Sequence, residues 1–288
     1  MAMMINGIQT THISALDRGL QYGDGCFTTA HVINQNVLYF DFHIARLHDD
    51  CERLHFPDIN WDTLAEFIAM EAFALMRAEN NTALANEAVL KIILTRAEGE
   101  RGYSPLGCNH INRIVSLTPF PSHYLGWQKT GIDVNISPIR LGHTPHTAGI
   151  KHLNRLDQVL IKRELEKSVF QDCIVLDSEG CIVEASASNI FWRKGDKIFT
   201  PDVSQCGING LMRQRVIDHL NKSGFAQIEI VREPIETLQN ADEVMLSNAL
   251  MPLIPINHVV VSPTQRWFYS PLKREAWPYL FPQLLAGK

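Results

Sequence analysis

Several familiar signatures are missing from this 288-residue chain, and each absence narrows what it can do. No two of its six cysteines (Cys26, Cys51, Cys108, Cys173, Cys181 and Cys206) form a Cys-x-x-Cys pair, and the chain is long for a disulfide scaffold. They read as reduced, mostly buried thiols, which points to a cytoplasmic protein. No apolar run approaches membrane-spanning length; residues 67–76 come closest, and Glu71 interrupts them. The start, Met1 to Gly7, lacks a basic segment followed by an apolar one, so no signal peptide is expected. Net charge is -5 with no long basic run, which argues against nucleic acid or an anionic membrane as partner. No Gly-x-Gly-x-x-Gly follows a strand, and no Gly-x-Ser-x-Gly elbow is present. A dinucleotide fold and an α/β-hydrolase therefore lack support.

What remains is an ordinary globular composition. Apolar residues make up 45% and charged residues 20%, enough core for one large domain or two of usual size. A hairpin is expected over 3–12 with its turn at Asn6-Gly7, and strands over 26–33 and 37–40. Asp41 is placed to cap a helix in which Ile44, Leu47, Cys51 and Leu54 recur at helical spacing, with Arg46 beside that face. A second helix follows over 62–78, a loop over 79–87, then strands over 89–95 and 113–118. Two close prolines, Pro119 and Pro121, suggest a linker. The division expected is a smaller domain over 1–118, a linker over 119–128 and a larger domain over 129–288 that carries Lys151. In that larger part a strand spans 132–139. A helix after Lys151 places Leu153, Leu156, Val159 and Leu160 on one side. Short antiparallel strands fill 172–200, a helix runs from Leu211, and another closes the chain from about 270. Strands and helices mix without βαβ alternation, so the fold class is α+β in two domains.

The candidate chemistry begins at Lys151, in Gly149-Ile150-Lys151-His152-Leu153-Asn154. A lysine in a neutral, partly apolar context can serve as nucleophile or base. By itself it reads equally as a solvated residue at a helix start. The glycines before Leu211 offer backbone N–H groups and a favourable dipole to a phosphate, and Arg46 is suited to the same anion. His143, His146 and His152 lie close in sequence, but the nearby acids are not spaced to complete a metal site, so no metal is expected. Residues 96–105, with Arg96, Arg101 and Tyr103, read as a loop of the kind that contacts ligands.

Together these residues resemble the fold-type IV pyridoxal phosphate enzymes, the D-amino acid and branched-chain aminotransferase-like superfamily. Lys151, then Glu184-Ala185-Ser186-Ala187-Ser188-Asn189, then Gly210-Leu211-Met212-Arg213 carry the likeness, and Phe42-His43-Ile44-Ala45-Arg46-Leu47 fits the family's arginine-bearing helix. Gly23-Asp24-Gly25-Cys26-Phe27-Thr28-Thr29-Ala30, Arg101-Gly102-Tyr103-Ser104, Gly149 to Leu156 and Asn248-Ala249-Leu250-Met251-Pro252 are similar to the aminodeoxychorismate lyases within it. The resemblance implies pyridoxal 5'-phosphate as cofactor and a homodimer. It implies Lys151 as the residue that joins the cofactor aldehyde and then acts as base, and Glu184 as the partner of the pyridine nitrogen. Arg46 and the N–H groups of Leu211 and Met212 would hold the phosphate, with Asn248 and Ala249 beside it. Thr29 would hand a proton to the leaving group, and Arg101 and Tyr103 would bind a substrate carboxylate. Thr29 is favoured over Thr28 because strand alternation turns Thr28 to the other face. His31 stands where close relatives are expected to have arginine.

The activity implied is conversion of 4-amino-4-deoxychorismate to 4-aminobenzoate and pyruvate, in folate biosynthesis. The alternative is a D-amino acid or branched-chain aminotransferase on the same fold. Two positions count against it. Ala249 stands where the aminotransferases place a hydroxyl, and Leu156 where the branched-chain enzymes place a tyrosine.

Overall fold

A computed structural model describes residues 2–78, 87–224 and 227–269. The helix expected from about 270 and most of the 79–87 loop lie outside the described residues. The chain divides into two units, Met1–Pro121 with Lys151–Asn154, and Ser122–Ile150 with Arg155–Lys288.

The first unit is built on a six-stranded antiparallel sheet. Its strands are β1 (Ala2–Ile5), β2 (Ile8–Gln9), β3 (Gly25–Ile33), β4 (Asn36–Val37), β5 (Glu87–Thr95) and β6 (Asn112–Pro119), in the order β2-β1-β6-β5-β3-β4. The first turn is Asn6-Gly7, both with positive φ (51° and 84°), the pairing a two-residue hairpin demands. A short helix α1 (Arg18–Tyr22) precedes β3. Helices α2 (Phe40–Arg53) and α3 (Trp61–Ala78) cover the sheet. Strand alternation sends Cys26, Ala30 and Val32 of β3 and Leu90, Ile92 and Leu94 of β5 into one core with Leu47, Cys51, Ile68 and Leu75. The segment 37–40 is not a strand throughout. Tyr39 adopts a left-handed conformation and caps α2 from Phe40, leaving Asp41 in the first helical turn.

The second unit carries β7 (Ile132–Ile136), β8 (Asp172–Leu176), β9 (Ile182–Ala185), β10 (Asn189–Lys194), β11 (Lys197–Pro201), β12 (Gln227–Val231), β13 (Glu243–Ser247), β14 (Ile254–Ser262) and β15 (Gln265–Phe268). They run in the order β12-β11-β10-β13-β14-β7-β8-β9, with β15 on β14. The sheet is mixed. The pairs β7–β8, β14–β7 and β11–β12 are parallel, the rest antiparallel. Around it lie α4 (His123–Thr130), α5 (Leu156–Leu165), α6 (Leu211–Ser223) and a 3-10 turn, Ile235–Asn240.

Three details differ from the sequence reading. β6 ends at Pro119 and α4 starts at His123, so a helix occupies much of the stretch read as linker. Lys151–Asn154 group with the first unit, not with the C-terminal part. The reason is backbone pairing: Phe27 N–H donates to Lys151 O (3.0 Å), and Leu153 N–H donates to Gly25 O (2.9 Å). The third is the face of α5. Leu156 (70% exposed), Val159 and Leu160 point outward, while Ile161 and Leu165 pack with Leu141, Cys173, Val175 and Val183.

Candidate active site

Lys151 is held by its backbone. Its N–H donates to Asp50 Oδ2 (3.2 Å), and its carbonyl accepts from Phe27. The ammonium lies 4.6 Å from the centroid of the Phe27 ring. Such cation–π contact leaves the amine against an apolar surface. Arg46, one turn before Asp50 on α2, sits 3.8 Å from the same Asp50 Oδ2, an ion pair too long for a hydrogen bond. Its side chain is only 12% exposed. Burial pushes the Arg46 pKa down and the Asp50 pKa up, and the attraction between them works against both shifts. Asp50 therefore links the two basic residues named from the sequence, and nothing in its spacing announced that role.

Thr28 and Thr29 separate as alternation requires. Thr28 is buried and its Oγ1 lies 2.6 Å from His43 Nδ1 of α2. His43 is fully buried, and desolvation, with Arg46 nearby, lowers its pKa to about 3, so the pair is a neutral strut between helix and sheet. Thr29 is half-buried on the other face, which it shares with Phe27. Directly across the ladder from Thr29 is Lys91 of β5. Its ammonium lies 4.8 Å from the same Phe27 ring, so that ring serves two lysines. Burial lowers the Lys91 pKa. The sequence reading missed Lys91; the signal was a lone lysine inside the apolar run Ala88–Leu94 of a strand.

The 96–105 loop divides into support and surface. Arg96 is buried: Nε donates to Asp24, and its two terminal nitrogens to Leu54 O and His55 O (2.6 and 2.7 Å). Arg18, also buried, bonds Asp24 and gathers the carbonyls of Gly102, Tyr103 and Ser104. Arg101 and Tyr103 stand exposed, the latter at 84%, with Tyr103 packed edge-on against Tyr22.

In the second unit Glu184 is buried near the end of β9, and its Oε2 accepts from Ile208 N–H (2.9 Å). Ile208 pairs with Gly149, two residues before Lys151, and Asn209 N–H donates to Gly149 O. Asn189 Nδ2 donates to Ile208 O, and a Cβ on Gly210 would meet Asn189 Oδ1, so a larger residue there would displace that side chain. α6 begins directly after. Gln214 N–H is bonded to Gly210 O, leaving the N–H groups of Leu211 and Met212 as first-turn donors without an intrahelical acceptor. Asn248 spends its side chain on a turn: Oδ1 accepts from Leu250 and Met251, and Nδ2 donates to Ala187 O.

The loop ahead of Lys151 is pinned by Asp177, which is 3% exposed. Its Oδ2 accepts from Arg232 (2.7 Å) and lies 3.0 Å from His143 Nε2, and its Oδ1 accepts from Glu179 and Cys181 N–H. With Cys206 these residues form the one metal-like grouping among the described residues, but Arg232 already takes the carboxylate. Burial works to raise the Asp177 pKa, and the bonds from Arg232 and His143 outweigh it, bringing it to about 2. A lowered carboxylate pKa contributes stability above the unfolded value and loses it as pH falls through the folded one. The expected result is about 2 kcal/mol lost between pH 4 and 2, and a flatter acid limb for Asp177→Asn in denaturation curves taken across that range.

Comparison with known proteins identifies the family. The model of the amino-transferase class IV family matches residues 25–259. An aminodeoxychorismate lyase of Vibrio harveyi is 34% identical over 255 residues, 88% of this chain and 90% of the relative. A crystal structure of 4-amino-4-deoxychorismate lyase from Pseudomonas aeruginosa superposes with a TM-score of 0.87 at 30% identity, over 98% of this chain and 99% of that one. The Escherichia coli branched-chain aminotransferase shares the fold, with a TM-score of 0.79 at 21% identity over 98% and 94% of the two chains. With its lysine, buried arginine, buried glutamate and glycine-led helix in the matched region, the chain belongs to the amino-transferase class IV family.

Proposed function

We propose that this protein is a pyridoxal phosphate-dependent lyase that converts 4-amino-4-deoxychorismate to 4-aminobenzoate and pyruvate, acting as a cytoplasmic homodimer in folate biosynthesis. The observation that carries the reading is Lys151, fixed by Asp50 and Phe27 next to the strand face that bears Thr29. That arrangement lies in a chain 34% identical to a lyase of this name. The residues fit the cofactor. Arg46 is a buried cation with a long ion pair, the first turn of α6 presents two N–H donors, and glycine at 210 keeps the approach to that turn free of a side chain. Leu211, Met212, Arg46 and the Ala249 N–H would hold the phosphate, with Asn248 shaping the turn. Glu184 would set its charge against the pyridine nitrogen, held in place by Ile208 N–H. When bound, the cofactor supplies an aldehyde for the substrate amine and a protonated ring that accepts an electron pair.

The chain's own residues do the rest. Lys151 Nζ removes the proton from the ring carbon that carries the amine. The neighbouring carbon loses its enolpyruvyl oxygen, and Thr29 Oγ1 delivers the proton that the departing group takes up. Aromatisation supplies driving force, so the protein's task is positioning and charge placement. Lys91, across from Thr29 and desolvated beside Phe27, is a cation suited to a substrate carboxylate, with Arg101 and Tyr103 as further contacts.

The aminotransferase alternative is separated by product. The lyase releases 4-aminobenzoate from aminodeoxychorismate; an aminotransferase forms a keto acid from D- or branched-chain amino acids with a keto acid acceptor. Only the second activity, without the first, would overturn the proposal. Thr29→Ala should leave cofactor binding intact and slow 4-aminobenzoate release roughly 10²-fold, with Thr29→Ser restoring most of it. Equal loss in Thr29→Ser would point to packing rather than proton delivery.

A further inference from the structure

One aromatic ring in the first unit carries two cations. The Lys151 ammonium lies 4.6 Å from the Phe27 centroid and the Lys91 ammonium 4.8 Å from the same point. The two nitrogens are therefore at most about 9.4 Å apart, the sum of those distances. Strands on both sides hold Lys91 in place. It stands opposite Thr29 of β3 and opposite Ser116 of β6, in ladders that run nearly the length of β5. The acid on the same sheet face, Glu87, has its Oε1 2.9 Å from His31 Nε2. Around Lys151 in this unit, Asp50 and Arg46 of α2 carry opposite charges and pair at 3.8 Å. His43 of α2 is neutral, and the Cys51 contact and burial keep Cys26 of β3 a thiol. His152 follows Lys151 in the chain.

We infer that Lys91 is a positioning residue of the proposed site that acts through charge: its ammonium, on the ring that Lys151 also contacts, weakens the hold of the Lys151 nitrogen on a proton and readies it to serve as base. A neighbouring positive charge disfavours a second one. Coulomb's law gives the size. At the greatest separation and an effective dielectric of about 20, the repulsion makes Lys151 titrate about one pH unit lower, and closer approach does more. Phe27 attracts either cation, but it attracts Lys151 with or without Lys91, so its pull leaves the comparison unchanged. An ordinary lysine is unprotonated in only about one molecule in 10³ near neutral pH, and each pH unit multiplies that fraction about tenfold.

Burial lowers the Lys91 pKa too. Which lysine gives up its proton is decided by the cofactor. A lysine nitrogen joined to an aldehyde is a weaker base than an amine, so Lys91 keeps its proton while Lys151 titrates. The effect needs no movement of either strand, only the charge at Lys91.

The inference rests on Lys151 as the lysine that joins the cofactor, and the experiment reads that nitrogen without turnover. The pyridoxal phosphate-loaded enzyme is titrated from about pH 5 to about pH 10, and its visible absorbance is followed. Lys91→Gln and Lys91→Met should each move the midpoint up by about one pH unit, a tenfold change in proton affinity. Lys91→Arg keeps the charge and should stay within about 0.3 of wild type. If one neutral variant misfolds, the other decides. An unmoved midpoint in a folded neutral variant, or an equal rise in Lys91→Arg, would overturn the inference. The expected midpoints in an enzyme that releases no 4-aminobenzoate would support Lys91 in this role and overturn the lyase reading. A wild type without the visible band would overturn the cofactor reading and this inference with it.

Discussion

Replacing Lys151 by alanine should lower 4-aminobenzoate release roughly 10⁴-fold or more and abolish the visible absorbance that borohydride removes from the wild type. The size follows from the two duties proposed for one amine, covalent attachment and proton removal. The structure makes this substitution a clean test. Lys151 is anchored by its own N–H and carbonyl, to Asp50 and Phe27, and both bonds survive in alanine. What goes is the ammonium over the Phe27 ring. Thermal unfolding of Lys151→Ala should therefore stay near wild type, while colour and turnover fall together. A colourless wild-type protein that also fails to take up added pyridoxal phosphate would defeat both the lyase and the aminotransferase readings. So would a Lys151→Ala variant that retained turnover.

Glu184→Gln carries the second large effect, a fall in turnover of about 10²–10³-fold with cofactor still retained. Glutamine keeps an oxygen able to accept the Ile208 N–H, so the local fold that joins β9, Gly149 and α6 is preserved. Its amide has no charge to set against a protonated ring nitrogen. The expected signature is a fall in turnover far larger than any change in cofactor affinity or melting temperature. Glu184→Ala differs, because it also strips the buried Ile208 N–H of its acceptor, a loss of about 1–3 kcal/mol. If Glu184→Gln matched wild type in turnover while Glu184→Ala lost stability alone, the carboxylate would be a structural acceptor and nothing more.

The two predictions draw on residues that were legible in different ways. Lys151, Glu184, Arg46 and Gly210 are each unremarkable in isolation, and it was their order along the chain that made them readable together. Local geometry followed from local chemistry at several places. Asn6-Gly7 takes the two positive φ values of a tight turn, and β3 alternates, so Thr28 meets His43 while Thr29 faces away. The run Glu87–Thr95 and the helix after Gly210 likewise form within a residue or two of where their patterns place them. Such features are decided over a few residues, by steric limits on φ and by strand or helix period.

Other features depended on partners far away in sequence. α5 has apolar residues on more than one side, and only the packing of Ile161 and Leu165 against β8 and β9 decided which went inward. Arg96 read as a loop arginine available to a ligand, yet three distant groups, Asp24, Leu54 O and His55 O, make it a buried strut. Asp50 and Lys91 carried no motif at all. The first matters because α2 packs where Lys151 passes, the second because β5 lies in register beside β3.

The sequence by itself thus determined the family, the cofactor class, the α+β make-up and which lysine to watch, since these rest on residue types in a fixed order and on short-range periodicity. Tertiary structure alone decided what holds that lysine: Asp50 at its N–H, Phe27 against its ammonium and Lys91 on the same ring. The physical reason is that burial and hydrogen bonding act through space, between groups that the fold brings together and the order of the chain keeps apart.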